Sequence, residues 1–391
     1  MQNSLIPIFR KVYDSSPEVL SHAPGRINII GEHTDYNLGY VLPAALNLRN
    51  HCLLSRRPDD KVRLWTENFR KKDEFSLREI TFSEENKWVN YIRGIFWVLK
   101  EEGLDLPGID GVIRGDIPPE SGLSSSAALE VSIVHGLNTL FNLDLAPLRM
   151  VELARKAENE FVGVQCGIMD QFISVFGQES SALFLDCETL DTKLVPFRMK
   201  EGGFQVVVYE TGVRRELAGS EYNKRRNESS QALEVLKKYG VEKYKDATLD
   251  TLEQIKNEMD EVVFRRARHV ISENARVKEA VRAMEKDDFD LLGDLLFRSH
   301  ESLRDDYEVS CPELDLLYES GRKFPGCYGA RLTGAGFGGS GIALVKNQEV
   351  TAFKQELLEN AEKKGFVQPR FYEVEVGEGA DSRFLEMEEL R

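Results

Sequence analysis

Four groups of residues in this chain have types and spacings suited to chemistry. In PPESGLSSSAALE, residues 118–130, Gly122 allows a tight turn, and Ser124, Ser125 and Ser126 crowd together just where helical periodicity begins at Ala127. A Gly/Ser loop that opens a helix leaves backbone N–H groups unpaired at the positive end of the helix dipole, so it can hold an anion. Its hydroxyls can add hydrogen bonds or reach a phosphate-bound Mg²⁺. Read alone, the same stretch is more simply explained as an ordinary serine-capped turn. The second group is Glu32, His33, Asp35 and Tyr36, a polar cluster bracketed by Gly31 and Gly39. Arg26 and Asn28 lie in the strand-like run that leads to it. Loops carried on rigid strands are common places for binding groups, although a solvated turn would show the same composition.

The third group is acidic. Asp170 stands between Met169 and Gln171 in the otherwise apolar VQCGIMDQFISVFG, residues 164–177. A carboxylate in such company is either buried with a partner or functional. Glu158 and Glu160 fall near the end of the periodic segment LRMVELARKAENEFVG, 148–163, where an acid opposes the helix dipole and therefore suggests another use. The fourth is YGARLTGAGFGGSGIALV, 328–345, whose glycines, Gly334 and Gly336 among them, permit positive φ or close backbone approach. It does not fit G-x-G-x-x-G before a helix, and neither Gly-rich stretch carries the Lys of a Walker A loop.

The elements that must position these groups are mixed. An amphipathic helix is expected in residues 1–20, a strand around Ile27–Ile30, and strands with polar turns over 51–87. The run 88–103 reads as a helix, with Trp88 and Tyr91 one turn apart near its start, a spacing that serves either a core or a base-stacking platform. Residues 108–118 read as a strand feeding the Ser loop, and 181–190 and 204–213 as further strands. Residues 214–325 are helical and charge-rich, and a helix (350–364) and a strand (370–376) follow. Pro196 and Gly202–Gly203 mark a domain boundary, which gives an N-terminal domain over 1–200 and a C-terminal domain over 201–391.

Composition sets the limits. The 391 residues allow two or three domains, and 41% hydrophobic residues can build cores. A net charge of −15 argues against nucleic acid or an anionic membrane as the main partner. It leaves room for a phosphorylated ligand held by local N–H groups. The five cysteines are scattered without a CxxC pair, so neither a disulfide framework nor a structural zinc site is indicated. With no 18-residue apolar run and no signal peptide, a soluble cytoplasmic protein acting on small molecules is expected.

Taken together, PGRINIIGEHTDY at 24–36, PPESGLSSSAALE at 118–130 and GARLTGAGFGG at 329–339 resemble the three signature motifs of the GHMP kinase superfamily. The first is similar to the galactokinase signature in particular. CGIMDQF at 166–172, TGVRRELAGSEYNKRR at 211–226, RRARHV at 265–270 and LRDDYEVSCPELD at 303–315 agree with galactokinases too. The resemblance implies an α+β, two-domain GHMP kinase fold, with an N-terminal ribosomal-protein-S5-like domain, a C-terminal ferredoxin-like domain and the active site between them. It implies that ATP phosphorylates the C1 hydroxyl of α-D-galactose, with Mg²⁺ as cofactor and no partner beyond these small molecules, in a monomer. By similarity, Asp170 and Arg26 are catalytic, Asp170 as base or as an orienting group for the hydroxyl. Arg26, Glu32, His33, Asp35, Gly167, Asp170 and Tyr222 match sugar-contacting positions. Trp88 and Tyr91 flank adenine; Gly122, Leu123, Ser124, Ser125, Ser126, Ala127, Gly334 and Gly336 form the nucleotide loops; Ser126 and Glu158 hold the metal. N-acetylgalactosamine kinase and a non-catalytic sugar and ATP sensor are built on the same plan. The intact GLSSSAA and the GEHTDY turn favour the galactose-phosphorylating enzyme over both.

Overall fold

A computed structural model describes residues 5–118, 121–213 and 218–390. Pro119 and Glu120 of the Ser-loop motif, and 214–217 of the TGVRRELAGSEYNKRR stretch, lie outside the described residues.

The chain opens with a helix, Leu5–Tyr13, and then lays down β1 (Val19–Asn28), β2 (Tyr40–Val41), β3 (Pro43–Arg56), β4 (Lys61–Thr66), β5 (Lys71–Ser76) and β6 (Ile109–Gly115). The second half of the strands comprises β7 (Ser181–Asp186), β8 (Thr192–Pro196), β9 (Phe204–Glu210), β10 (Cys327–Thr333), β11 (Ser340–Lys346), β12 (Arg370–Glu373) and β13 (Asp381–Phe384). They form three sheets, ordered β13-β1-β3-β6-β4-β5, β10-β11-β9-β12 and β2-β7-β8. Pairing is antiparallel except between β4 and β6.

In the first sheet, β1 is buried along almost its whole length, so its sequence does not alternate, and its polar residues need internal partners. Ser21 finds one by donating to the Ser132 carbonyl (2.6 Å) in the helix Ser125–Phe141. That helix is buried on most sides and packs with the helices Asn90–Glu101 and Pro147–Lys156 into one apolar core with β3, β4 and β6. Its last residue, Phe141, is followed by Asn142 in the left-handed conformation that closes helices.

The strand expected at Ile27–Ile30 lies earlier, because Ile29 and Ile30 bend away from β1. They keep strand-like bonds across the turn instead: Ile29 N donates to Leu42 O and Leu42 N to Ile30 O, both 3.0 Å. Both isoleucines are buried, which explains their apolarity without a strand. The helix expected over 148–163 is regular only to Lys156; Ala157–Val162 widens into a π turn. Such insertions re-aim side chains and recur at functional sites.

The four-stranded antiparallel sheet is covered by Phe289–Asp305, Pro312–Lys323 and Val350–Lys364. The segment between Pro196 and Phe204 joins β8 to β9, and the two halves it links share a core in which Ile27 and Leu42 pack with Phe204, Val208, Val277 and Ile342. The chain then crosses back: β13 pairs with β1 in register Val19↔Phe384 to His22↔Asp381. Periodicity gave no sign of β13, a four-residue, mostly exposed edge strand.

Candidate functional site

A cavity of ≈ 620 Å³ opens where the Ser loop and polar turn of the first half meet Tyr222, Gly334 and Ala335 of the second. Its deepest organisation begins at a bulge in β1, where the pairing with β3 shifts between Pro24 and Arg26. At that bulge the backbone touches the Ser loop. Arg26 N donates to Leu123 O (3.0 Å), and a Cβ on Gly25 would lie 2.5 Å from the same oxygen, so only glycine fits. The buried Arg26 side chain donates through Nη1 to Gly122 O (2.7 Å), and forks onto Asp170 through Nε to Oδ1 (2.8 Å) and Nη2 to Oδ2 (2.7 Å). A planar fork on a carboxylate fixes both groups in angle as well as distance. Ser124, at φ 60°, adds its hydroxyl to Asp170 Oδ2. Asp170 occupies the first turn of the helix Met169–Phe176, the end that favours a negative charge.

The polar turn is tied to the Gly-rich loop by Glu32. Its Oε1 accepts from Gly334 N (2.7 Å) and Thr333 Oγ1 (3.1 Å) and faces Arg331 Nη2 at 3.4 Å. His33 has φ 61°, and burial pushes its imidazole down to about 3, so the ring is neutral. Nε2 lies 3.2 Å from the Ala335 carbonyl, which can only accept, so Nε2 carries the proton. Nδ1 therefore accepts from the Tyr36 hydroxyl at 2.8 Å, and Tyr307 in turn donates to Tyr36 (2.8 Å). Any sugar contact from the His33 ring shares a nitrogen that already serves the protein. Asp35 is pushed up to about 6, first by burial and then by the nearby Asp170. Tyr222 packs against His33 and Tyr36 at ring distances of 5.5 and 5.3 Å, and its hydroxyl stays protonated because burial raises it well above the ordinary phenol range.

Glu158 sits on the π turn and is buried. Burial, then Asp170, pushes it up to about 7, against hydrogen bonds from Cys166, Ser126 and Gln171. Gln171 Nε2 reaches Glu158 Oε2 at 2.6 Å and Glu130 Oε2 at 3.2 Å. Gln171 and Glu130 lie inside the motifs singled out from the sequence, but their role in supporting Glu158 had no spacing signal. No cluster of three or more His, Cys, Asp or Glu residues able to hold a metal occurs among the described residues. One carboxylate with an adjacent hydroxyl still suits Mg²⁺, which takes few protein oxygens and completes its shell with phosphate and water. A cation would also relieve the cost of ionising a buried Glu158.

At the other end, Trp88 and Tyr91 line the cavity with Phe69, Phe82 and Lys87. Trp88 Nε1 is buried without an acceptor among the described residues, and a ligand in the cavity can supply one. Phe69 and Phe82 escaped sequence reasoning because they lie on separate loops, and Lys87, although it shares the 3-10 turn Lys87–Val89 with Trp88, had no spacing signal of its own. Of the expected site residues, Gly122, Ser124, Ser125, Ser126 and Gly167 also line this cavity. The side chains of Leu123 and Ala127 turn into the core instead, and Gly336 backs onto Val309, whose carbonyl oxygen would lie 2.2 Å from a Cβ there. The backbone of Gly334, at φ 83°, meets Gly122, so the two Gly-rich loops touch.

The galactokinase galactose-binding signature matches residues 8–56, the GHMP kinases N terminal domain 90–178 and the GHMP kinases C terminal domain 280–363. A galactokinase of Staphylococcus carnosus (strain TM300) is 43% identical over 384 residues, covering 97% of this chain and 98% of its own. One from Pyrococcus furiosus is 40% identical over 357 residues, covering 91% and 97%. Lactococcus lactis galactokinase complexed with galactose superposes with a TM-score of 0.93 at 39% identity, covering 97% of this chain and 99% of that one. Methanococcus jannaschii mevalonate kinase, at 19% identity and a TM-score of 0.64 over 91% and 98%, shares the fold.

Proposed function

The chain belongs to the galactokinase family of GHMP kinases and is an ATP-dependent sugar kinase, and we propose that the cavity around Asp170 is where it phosphorylates the C1 hydroxyl of α-D-galactose. The observation that carries this reading is the Arg26–Asp170 fork, because it is hydrogen-bonded to the Ser loop and lines the same cavity as the polar turn. In this reading Glu32, His33, Asp35, Gly167 and Tyr222 form the sugar side. The two halves, 1–200 and 201–391, each contribute one wall. Ser124, Ser125 and Ser126 with the backbone of Gly122, Leu123, Ala127 and Gly334 form the phosphate side, and Gly336 shapes the second loop from behind. Trp88 and Tyr91 take the adenine.

Phosphoryl transfer passes through a loose transition state, so positioning and charge compensation dominate. Asp170 accepts a hydrogen bond from the C1 hydroxyl and takes its proton as the oxygen bonds to the γ-phosphorus and the bond from that phosphorus to the bridging oxygen of ADP breaks. The Arg26 guanidinium holds the Asp170 carboxylate at a fixed angle and adds positive charge beside the transferring group. Loop N–H groups at the start of the helix Ser125–Phe141 receive the charge that remains on ADP. Ser126 and Glu158 would hold Mg²⁺, which supplies charge neutralisation on the phosphate oxygens. Among the described residues, no helix is long and apolar enough to cross a membrane. A cytoplasmic monomer fits five free cysteines and the acidic composition.

The test is ADP release measured with galactose, N-acetylgalactosamine, glucose and mevalonate. Galactose is expected to be the best substrate. Glucose, which differs only at C4, should fall well behind, since a site built to bond a hydroxyl rejects an analogue that misplaces it. Faster turnover of N-acetylgalactosamine or mevalonate would overturn the assignment.

A further inference from the structure

A second cavity, ≈ 370 Å³, shares no lining residue with the first. It is walled by the segment 244–250, the middle of the helix Glu261–Glu285 and Arg298 of the helix Phe289–Asp305. Its volume falls in the range of small-molecule sites. Four cations line it, Lys245, Arg276, Lys278 and Arg298, against the two acids Asp250 and Glu279. Lys245 is paired with Asp186 and Glu188, and Arg298 faces Asp294 at 3.6 Å. Lys278 enters no ion pair among the described residues, and its Nζ lies 5.2 Å from the centroid of the Tyr40 ring.

Two residues of this wall carry a buried donor with no acceptor among the described residues. Arg276 is 6% exposed; its Nε donates to Glu273 Oε2 (2.7 Å), but Nη2 is unpartnered. Asn274 is 3% exposed; its Oδ1 accepts from Tyr40 N (2.8 Å), but Nδ2 is unpartnered. Buried donors without acceptors are costly, and two on one wall beside an unpaired lysine describe the complement of an oxyanion. We propose that this cavity binds a small, multiply charged oxyanion, a phosphate ester or polycarboxylate, and that its occupancy steadies the polar turn of the catalytic cavity.

The coupling runs through two residues. Glu273, which Arg276 holds, accepts Gly31 N (3.0 Å) and Ser299 Oγ (2.7 Å) through its other oxygen. Gly31 begins the turn that carries Glu32, His33 and Asp35, and Tyr40, held by Asn274, ends it. An oxyanion that satisfies Arg276 and Asn274 fixes the braces at both ends of that turn. By reciprocity, an anion that favours the ordered turn must tighten binding of whatever the turn grips.

Inorganic phosphate and citrate are the probes, with chloride at matched ionic strength as the control. Each is titrated calorimetrically into the full chain with galactose and ADP saturating, so that the catalytic cavity is filled. One binding event is expected for phosphate, citrate or both, which separates the two anion chemistries. It should weaken in Lys278→Gln and further in Lys278→Glu, surface changes that leave the core alone. In the kinetic arm, at saturating ATP, the anion should lower the galactose KM about fivefold, at the small end of allosteric couplings. That shift should shrink in Lys278→Gln, whose KM in chloride matches the parent chain. Absence of binding to the parent chain, equal binding to both variants, or a galactose KM that is unchanged or raised by the anion overturns the proposal. The kinetic arm rests on the galactokinase reading, whereas the titration does not; a chain that binds anion as described but leaves galactose unphosphorylated refutes that reading alone.

Discussion

Asp35 Oδ2 stands where a side chain at position 167 would have to be: a Cβ on Gly167 would fall 1.9 Å from it. The glycine in CGIMDQF is thus a seat for a carboxylate that comes from the polar turn, over 130 residues earlier in sequence. Gly167→Ala must push Asp35 aside while leaving the Ser loop untouched. Steady-state kinetics should show kcat/KM for galactose falling about 10²-fold, the usual effect of a misplacement near 1 Å, with the KM for ATP unchanged. Equal losses for both substrates would place Gly167 in general packing instead.

Asp35 also gives the site a pH signature. Its carboxyl is raised to about 6 in the fold from an ordinary 3.8, so the neutral form is favoured there. Stability from this group is present at low pH and is lost as pH rises through the interval between those values. Sugar binding runs the other way, because the ionised form is the stronger acceptor. The galactose KM should rise as pH falls below about 6. Asp35→Asn should flatten that limb, and should stabilise the chain at pH 8 by roughly 3 kcal/mol while changing little near pH 4. Denaturant melts at the two pH values check the sign.

Asp170→Asn keeps the shape of the Arg26 fork's partner but removes its charge and its capacity to take a proton. We expect kcat to drop ~10²–10⁴-fold, with galactose affinity, read by calorimetry, within a few-fold. Near-normal turnover would remove Asp170 from the chemistry and leave it only as the anchor of Arg26.

Glu158→Gln tests the metal assignment through the ion. The Mg²⁺ concentration needed for half-maximal tightening of ADP, followed by thermal shift without turnover, should rise about tenfold or more, ~1.4 kcal/mol of ion affinity. If the Mg²⁺ dependence is unmoved, the ion is held elsewhere.

Glu32, which we place on the proposed sugar side, also has a structural role. Its removal leaves Arg331, 0% exposed, without its carboxylate and leaves Gly334 N without an acceptor. Glu32→Ala should destabilise the chain by about 3–5 kcal/mol in urea unfolding, with Glu32→Gln between it and the parent. A loss below about 1 kcal/mol would mean the Gly-rich loop is held by its own glycines.

Much of the candidate site was legible because short motifs keep chemically distinct residues close together: Ser124–Ser126 and the 32–36 turn each arrive as a unit on one loop. The partners of those motifs were harder to read, because they are joined by through-space bonds between distant segments. Arg26 with Asp170, and Glu32 with Gly334, are separated by 144 and 302 positions, and no periodicity encodes such pairs. The helix 350–364 was read correctly end to end, since a periodic segment followed by a left-handed Gly365 has local causes. The π turn at Glu158 was not foreseen, because its apolar spacing continues that of the α-helix before it.

The return of β13 to β1 has a consequence for how the chain is made. On the ribosome, β1 emerges among the first elements, yet the strand that covers its open edge follows every other helix and sheet in this sequence. Until Asp381–Phe384 is released, the nascent first sheet carries unpaired N–H and C=O groups along β1, the kind of edge that recruits stray strands. Closing that edge waits on a contact between segments more than 350 residues apart in sequence. Crowded polysomes and heat should therefore endanger this protein more during synthesis than after it, and a chaperone that shields β1 would act in that interval.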